Sequence, residues 1–437
     1  MKPKLRRKKL SMPGLIKELK SYFKGIVEPV TNRGSISLSD CLMSGLAIFS
    51  LKYSSLLQFD KSKRETAVAH NLKNLYQIET IPCDTYLRER LDKLPASELQ
   101  GAFTALIRQA QRGKALEAFS YYESHYLLSI DGTGYFSSHD IHCEQCCEKH
   151  HRNGDITYYH QMLGAALVHP EHSHVLPLAP EPIIKQDGVK KNDCERNAAK
   201  RLLENIRKVH PRMKFIVVED GLASNGPHIR QLQTLSMSYI LGAKPKDHTY
   251  LFDWIETSQQ TQTYQSQDED GTIHRYRYHN QVPLNDANFD LEVNCLIYEE
   301  ISPKGRKKTF SWVTDIPLSE QTVTIVMKGG RARWRIENET FNTLKNQGYH
   351  FEHNFGHGKQ HLSSVFAHLM LLAFLVDQLQ GLCCKLFQSA LTKMGNYVRF
   401  WERFRAYFFT FKLPDWITLY QAICSLPVFE LPVFDTS

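Results

Sequence analysis

GGRARWRIENETFNTLKNQGYHFEHNFGHGKQH, residues 329–361, is the stretch on which the reading of this chain turns. The glycine pair predicts a turn, and the residues after it a helix that carries Arg333, Glu337 and Lys345. Steps of roughly four residues set all three near one helix face, with Phe341 between them. A carboxylate flanked by two cations makes a poor core and a good place to hold a metal ion beside a phosphate. Far upstream, two apolar runs each end in an aspartate: HYLLSID (residues 125–131) and KFIVVED (residues 214–220). The expectation is that Asp131, Asp220 and Glu337 meet in space around divalent metal.

Composition bounds the answer. A chain of 437 residues has room for two or three domains, and 42% hydrophobic with 23% charged residues is ordinary for a globular protein. A formal charge of +8 suits a polyanionic partner. Residues 1–9 hold six lysines and arginines, but no apolar segment of a secretory signal follows. The apolar run at 365–376 is interrupted by His368 and reads as too short to cross a bilayer. No membrane partner is expected, and a cytoplasmic location is. Ten cysteines without an export signal are expected to be reduced, so metal binding or burial outranks disulfides.

Outward from the acidic positions, the pattern predicts an α/β protein. Residues 1–120 read as all-helical, with helices at 38–59, 84–94 and 98–118, and as a region suited to DNA ends or a helical scaffold. Residues 121–237 alternate strands (124–130, 156–168, 175–178, 215–218) with a helix at 192–209; the Asp-Gly-Thr-Gly run at 131–134 predicts a tight turn. Residues 238–320 read as a β-rich insertion with strands at 239–243, 273–278, 291–297 and 309–313. Residues 321–383 return to helix, and 384–437 form an aromatic and basic helical tail.

The chemistry explains the residue types. Magnesium is a hard ion that takes oxygen ligands and keeps several waters. Aspartates at strand ends are short, rigid ligands, and a glutamate on a packed helix reaches across to them. Arg333 and Lys345 would then face phosphate oxygens. Each piece alone has a plainer reading: Asp-Gly favours turns, and Glu beside Arg on a helix is ordinarily a solvated ion pair. The order strand-Asp, strand-Asp, helix-Glu is what gives the set weight.

These residues carry a resemblance. RWRIENETFNTLK (residues 333–345) resembles the third-acid motif of bacterial insertion-sequence DDE transposases, in which Tyr, Arg, the catalytic Glu and Lys recur as Y-x2-R-x3-E-x6-K. IDGTGYFSS (residues 130–138) is similar to the first-Asp strand of that family, and VVEDGLASN (residues 217–225) to the second. The resemblance spans about residues 127–380. It implies an RNase H-like core interrupted by a β-rich insertion, Mg2+ or Mn2+ as cofactor, and cleavage and strand transfer at transposon ends. It also implies double-stranded DNA as partner, a homodimer on DNA, and a bacterial, nucleoid-associated setting. Here Gly330 stands in the tyrosine slot, and Lys345 falls one residue beyond the lysine slot, which Leu344 fills. Glu339 competes for the third acid.

Two further groups stand out. HCEQCCEKHH (residues 142–151) offers Cys143, Cys146, Cys147 and His150 as a candidate structural zinc set, with Cys194 as another donor. Trp254 and Trp312 are candidates to stack on a base near a DNA end, against core packing as the plainer role. Lys185, Lys190, Lys191, Lys244, Lys246 and residues 306–308 are candidate phosphate contacts. The histidines at 350, 353, 357 and 361 read as phosphate or loop-ordering contacts rather than a metal site. Two rivals remain: a metal nuclease that cuts without joining, and a non-catalytic DNA-binding protein derived from a transposase.

Overall fold

The structure, a computed structural model, describes residues 8–28, 35–185 and 194–425. It divides into two compact units: residues 116–343, and residues 1–115 together with 344–437.

The unit of residues 116–343 is built on one mixed sheet of eleven strands. They are β1 (Tyr126–Ser138), β2 (Cys147–His150), β3 (Ile156–His169), β4 (His172–Pro177), β5 (Glu181–Ile183), β6 (Phe215–Glu219), β7 (Ser238–Gly242), β8 (Gln262–Gln267), β9 (Ile273–Asn285), β10 (Asn288–Ile301) and β11 (Lys307–Thr314). The order is β2-β3-β1-β6-β7-β11-β10-β9-β8, with β4 and β5 also paired to β3. β1, β6 and β7 run parallel, and their neighbours are antiparallel. All five residues of β6 are buried, as an apolar run covered on both faces must be. Helix Glu195–Val209 contributes the inward stripe Ala198, Leu202, Leu203 and Ile206.

Two expected turns are absent. Residues 131–134 continue β1: Asp131 sits opposite Gly164, and the ladder shifts register only between Gly134 and Phe136. The long partner β3 supplies backbone hydrogen bonds throughout, so local turn preference yields to sheet pairing. Gly329 and Gly330 lie inside helix Val323–Ala332 rather than before it. Their role is close approach. A Cβ on Gly329 would meet Ile240 of β7 at 2.8 Å, and one on Gly330 would collide with the Trp312 indole of β11. The helical path then widens to π form over Ile336–Phe341. Phe341 is buried against β3, where a Cβ on Gly164 would stand 2.9 Å from its ring. Three glycines thus let one helical segment lie directly on the sheet.

The other unit is helical. The expected helix at 38–59 is two helices, Leu38–Ser50 and Leu56–Ser62, broken where Lys52 takes a left-handed φ of 56°. That kink delivers the Lys52 amine to Asp377 at 2.8 Å and over the Tyr349 ring at 3.3 Å. Burial pulls the amine down to about 8 while the carboxylate of Asp377 opposes it. Helix Leu362–Cys383 is long and apolar enough to cross a membrane, contrary to the shorter run read from sequence, but 89% of its apolar window is buried inside the protein. Its first turn is held by Asp92, whose carboxylate accepts the amides of Lys359, Gln360, His361 and Leu362 at 2.9–3.1 Å. The aromatic helix Tyr397–Thr410 packs here too, with Asn71 Nδ2 donating to the Phe408 and Phe411 carbonyls.

Because Phe341 fills the space above Gly164, Gly164→Ala should lower the midpoint of thermal unfolding, by an overpacking cost of about 1–3 kcal/mol. Adding Phe341→Leu should recover part of the loss. Equal, additive losses in the double variant would show that the two positions do not touch.

Candidate active site

The parallel register places Ser129 of β1 beside Val218 of β6. Two residues further on, past the last β1–β6 pair, come Asp131, inside β1, and Asp220, the first residue after β6. Glu337 is the second residue of the Ile336–Phe341 segment. Just before it, Arg333 closes on β1: its Nη1 lies 3.1 Å from Asp131 Oδ2, and Ser129 Oγ donates to its carbonyl at 2.9 Å.

The acids are linked through their charges. Burial raises the Asp131 carboxyl above the usual aspartate value. Arg333 and the Gly132 amide oppose this, while Asp220 and Glu337 push it further up. Asp131 therefore feels both other carboxylates, with Arg333 as the neighbouring cation. Like charges gathered in a half-buried site favour either protonation or a bound cation.

Sequence reasoning passed over a fourth acid. Glu195 opens helix Glu195–Val209 and lays its carboxylate over Gly132, where any Cβ would collide with it. Its carboxyl is raised by burial first, then by Asp131, Asp220 and Glu219. Glu219, the last residue of β6, holds His228 Nε2 at 2.6 Å. Burial lowers the His228 imidazole, but the Glu219 carboxylate outweighs it and the net shift is upward. Asp131, Glu195, Glu219, Asp220 and His228 line one cavity of about 350 Å³. The only local signal for Glu195 in the sequence is an acid in a helix's first turn, which is ordinarily read as a dipole partner.

Glu219 and Asp220 also border a second cleft of about 830 Å³, lined by Lys244, Arg277, Arg331, Arg333 and Trp334 among others. Trp334 is 48% exposed, and the Arg333 guanidinium lies 4.3 Å from its ring centre. Trp312 lines the same cleft but is buried, stacked on Phe310 and pressed against Gly330. The Trp312 ring occupies the space that any side chain in the tyrosine slot would need. Trp254 is half-exposed on helix Thr249–Thr257 beside Tyr250. Lys345 belongs to the helical unit, where it pairs with Glu352 at 2.8 Å. Glu339, the rival third acid, pairs with Arg335 at 2.9 Å. Lys185 is paired with Glu148, and Lys307 and Lys308 with Glu299 and Glu300. Lys190 and Lys191 lie outside the described residues.

The candidate zinc quartet does not assemble as expected. Cys143 and Cys146 turn to His160 of β3, a residue the sequence reading left out, at 3.3 and 3.4 Å from its Nε2. Cys147 instead donates its thiol to the Ile183 carbonyl at 3.6 Å, and His150 lies 3.3 Å from Glu148. The split falls where β2 begins: Cys146 lies just before the strand, and Cys147, its first residue, faces Ile183 of β5. Cys194 is exposed just ahead of the Glu195 helix.

The raised Glu195 carboxyl has a pH consequence. A carboxyl whose folded value lies above its unfolded one loses stability as pH rises through the folded value. Glu195→Gln removes that loss. Without divalent cation, the variant should melt higher than the parent near neutral pH, and the gap should close in mild acid. A gap that stays constant across pH in thermal melts would mean that Glu195 does not share the site's charge.

A search of curated proteins returned no match. The family model for the transposase DDE domain matches residues 128–375, more than half of the chain and the stretch that contains both strand-end aspartates and the Glu337 segment. The chain belongs to the DDE transposase family, as an insertion-sequence transposase.

Proposed function

We propose that this protein cuts DNA at transposon ends and joins the freed 3′-hydroxyl to target DNA, with Asp131, Asp220 and Glu337 as the metal-binding acids. One observation carries the reading: Asp131 and Asp220 follow the last pair of two adjacent parallel strands, and Asp131, raised first by burial, is pushed further up by Asp220 and by Glu337 from the helical segment. The donor set fits magnesium or manganese, since it is all carboxylate oxygen and its crowding is what a divalent cation relieves. When bound, such a cation pair supplies Lewis-acid activation of the attacking oxygen and stabilises the leaving one.

The chain's own residues do the rest. In cleavage, a water oxygen bonds to phosphorus, the bond from phosphorus to the 3′ oxygen breaks, and the proton ends on that oxygen. In joining, the freed 3′-hydroxyl attacks a target phosphorus and displaces a target 3′ oxygen. Arg333, tied to Asp131, orients that carboxylate and offers its remaining donors to a phosphate oxygen. Lys244, Arg277 and Arg331 line the larger cleft as cations set among Glu219, Asp220, Asp253, Glu256 and Glu299, and exposed Trp334 offers a stacking face there that Trp312, committed to Gly330, does not. Lys345 remains a candidate phosphate contact, and Trp254 a candidate stacking face.

The strand order β3-β1-β6-β7, parallel except for β3, supports an RNase H-like core, with residues 238–320 as the β-rich insertion before the third acid. The five-part domain reading, a homodimer on DNA, no membrane partner and a cytoplasmic, nucleoid-associated location go with this function. Asp220→Asn should abolish magnesium-dependent cleavage of a transposon-end duplex while binding of that duplex stays within about twofold. Persisting cleavage would refute the assignment. With a precut end and a target plasmid, the parent should give joined product; hydrolysis without joining would make it a nuclease.

A further inference from the structure

Cys143 lies in the β1–β2 connection, Cys146 just before β2, and His160 on β3, opposite Phe136 of β1. Their donor atoms form a triangle: 3.8 Å between the two sulfurs, and 3.3 and 3.4 Å from these to His160 Nε2. These lengths can be compared with a metal tetrahedron. Zn–S bonds of about 2.3 Å and Zn–N of about 2.0 Å at tetrahedral angles give edges of about 3.8 Å for S···S and about 3.5 Å for S···N. The observed triangle matches such a face to within about 0.2 Å. A disulfide needs its sulfurs at about 2.05 Å, so this pair is not one.

The surroundings agree. His160 is fully buried and Cys146 nearly so, and the ring is held between Tyr135, stacked at 5.7 Å, and Phe136 at 6.0 Å. The Cys143 amide donates to Cys146 Sγ at 3.4 Å, a bond that suits a thiolate sulfur and orients it. Two sulfurs and an imidazole form a soft set, unlike the all-oxygen set at Asp131.

We infer that Cys143, Cys146 and His160 form a structural zinc site that pins the β1–β2 connection to β3. A water or another donor fills the fourth position. The inference is independent of the proposed reaction, since none of these ligands is among the acids.

The test uses the full chain, purified without added metal. Metal analysis should find about one zinc per chain. Cys143→Ser, Cys146→Ser and His160→Ala should each drop it to background, whereas Cys147→Ser, His150→Ala and Asp131→Asn should retain it. Where a ligand variant fails to fold, the parent decides. Stripped with chelator and refilled with cobalt, it should show thiolate-to-metal charge transfer and the absorption of a tetrahedral ion, and zinc should bleach both. A parent that binds neither zinc nor cobalt, loss of zinc in Cys147→Ser or His150→Ala equal to that in the ligand variants, or loss of zinc in Asp131→Asn would overturn the inference.

Discussion

The constraint on which the candidate active site depends is how near a helix can come to a sheet. The segment that carries Glu337 lies against β1, β3 and β4, and ordinary side chains would hold a helix further off the sheet. Here Gly329 faces Ile240, Gly330 faces Trp312, and Gly164 receives Phe341 from the helical side. The missing side chains make the seat, and Ser129 Oγ fastens it through the Arg333 carbonyl. The π-form stretch at Ile336–Phe341 fits the same demand. Widening the helix by one residue changes which face Glu337 and Phe341 share, and such distortions recur at functional sites. The Glu337 segment is thus held by packing on both flanks, the condition that its proposed role as a ligand requires.

Seating the helix there has an electrostatic cost. Asp131, Asp220, Glu337 and Glu195 crowd one edge, with Glu219 behind them engaged to His228. Arg333 offsets part of this through Asp131 alone. A protein selected only for stability would replace some of these acids, because buried like charges destabilise the fold. Their retention fits a site whose charge is balanced by something bound.

How much of this was legible in the sequence depends on the range of the interaction. The place of Asp220 just after β6 was, because an apolar run ending in Asp marks a buried parallel strand, whereas Asp131 lies inside a strand that runs on to Ser138. The Arg333–Glu337 spacing was, because it is local. Glu195 was not: it joins the acids only through the crossing of its helix over Gly132, which no periodicity records. His160 was passed over because it sits mid-strand, 14 residues beyond Cys146, while the nearer histidines 150 and 151 drew the pairing. The turn expected at 131–134 failed for a related reason, since β3 overrides local preference from 30 residues away. Nor could a linear reading show that residues 1–115 and 344–437 share one core, tied by Lys52 to Asp377 and Asp92 to the start of helix Leu362–Cys383.

One hairpin links the two chemistries. Asp131 and Gly164 face each other in the β1–β3 ladder, and Phe136 and His160 face each other beyond the shift at Gly134. On the two proposed assignments, the same pair of strands presents an oxygen ligand at one point and a nitrogen ligand a few rungs away. Thiolate and imidazole prefer zinc, and carboxylates with open water positions prefer magnesium or manganese. Segregating the donor types along the ladder keeps the tighter-binding ion away from the acids. It also relates the two sites mechanically: whatever fixes the far end of β1 against β3 limits the twist available at Asp131, five residues earlier on the same strand. A soft-metal clamp at the distal end is thus a physically sensible companion to a hard-metal site that needs its first ligand held still.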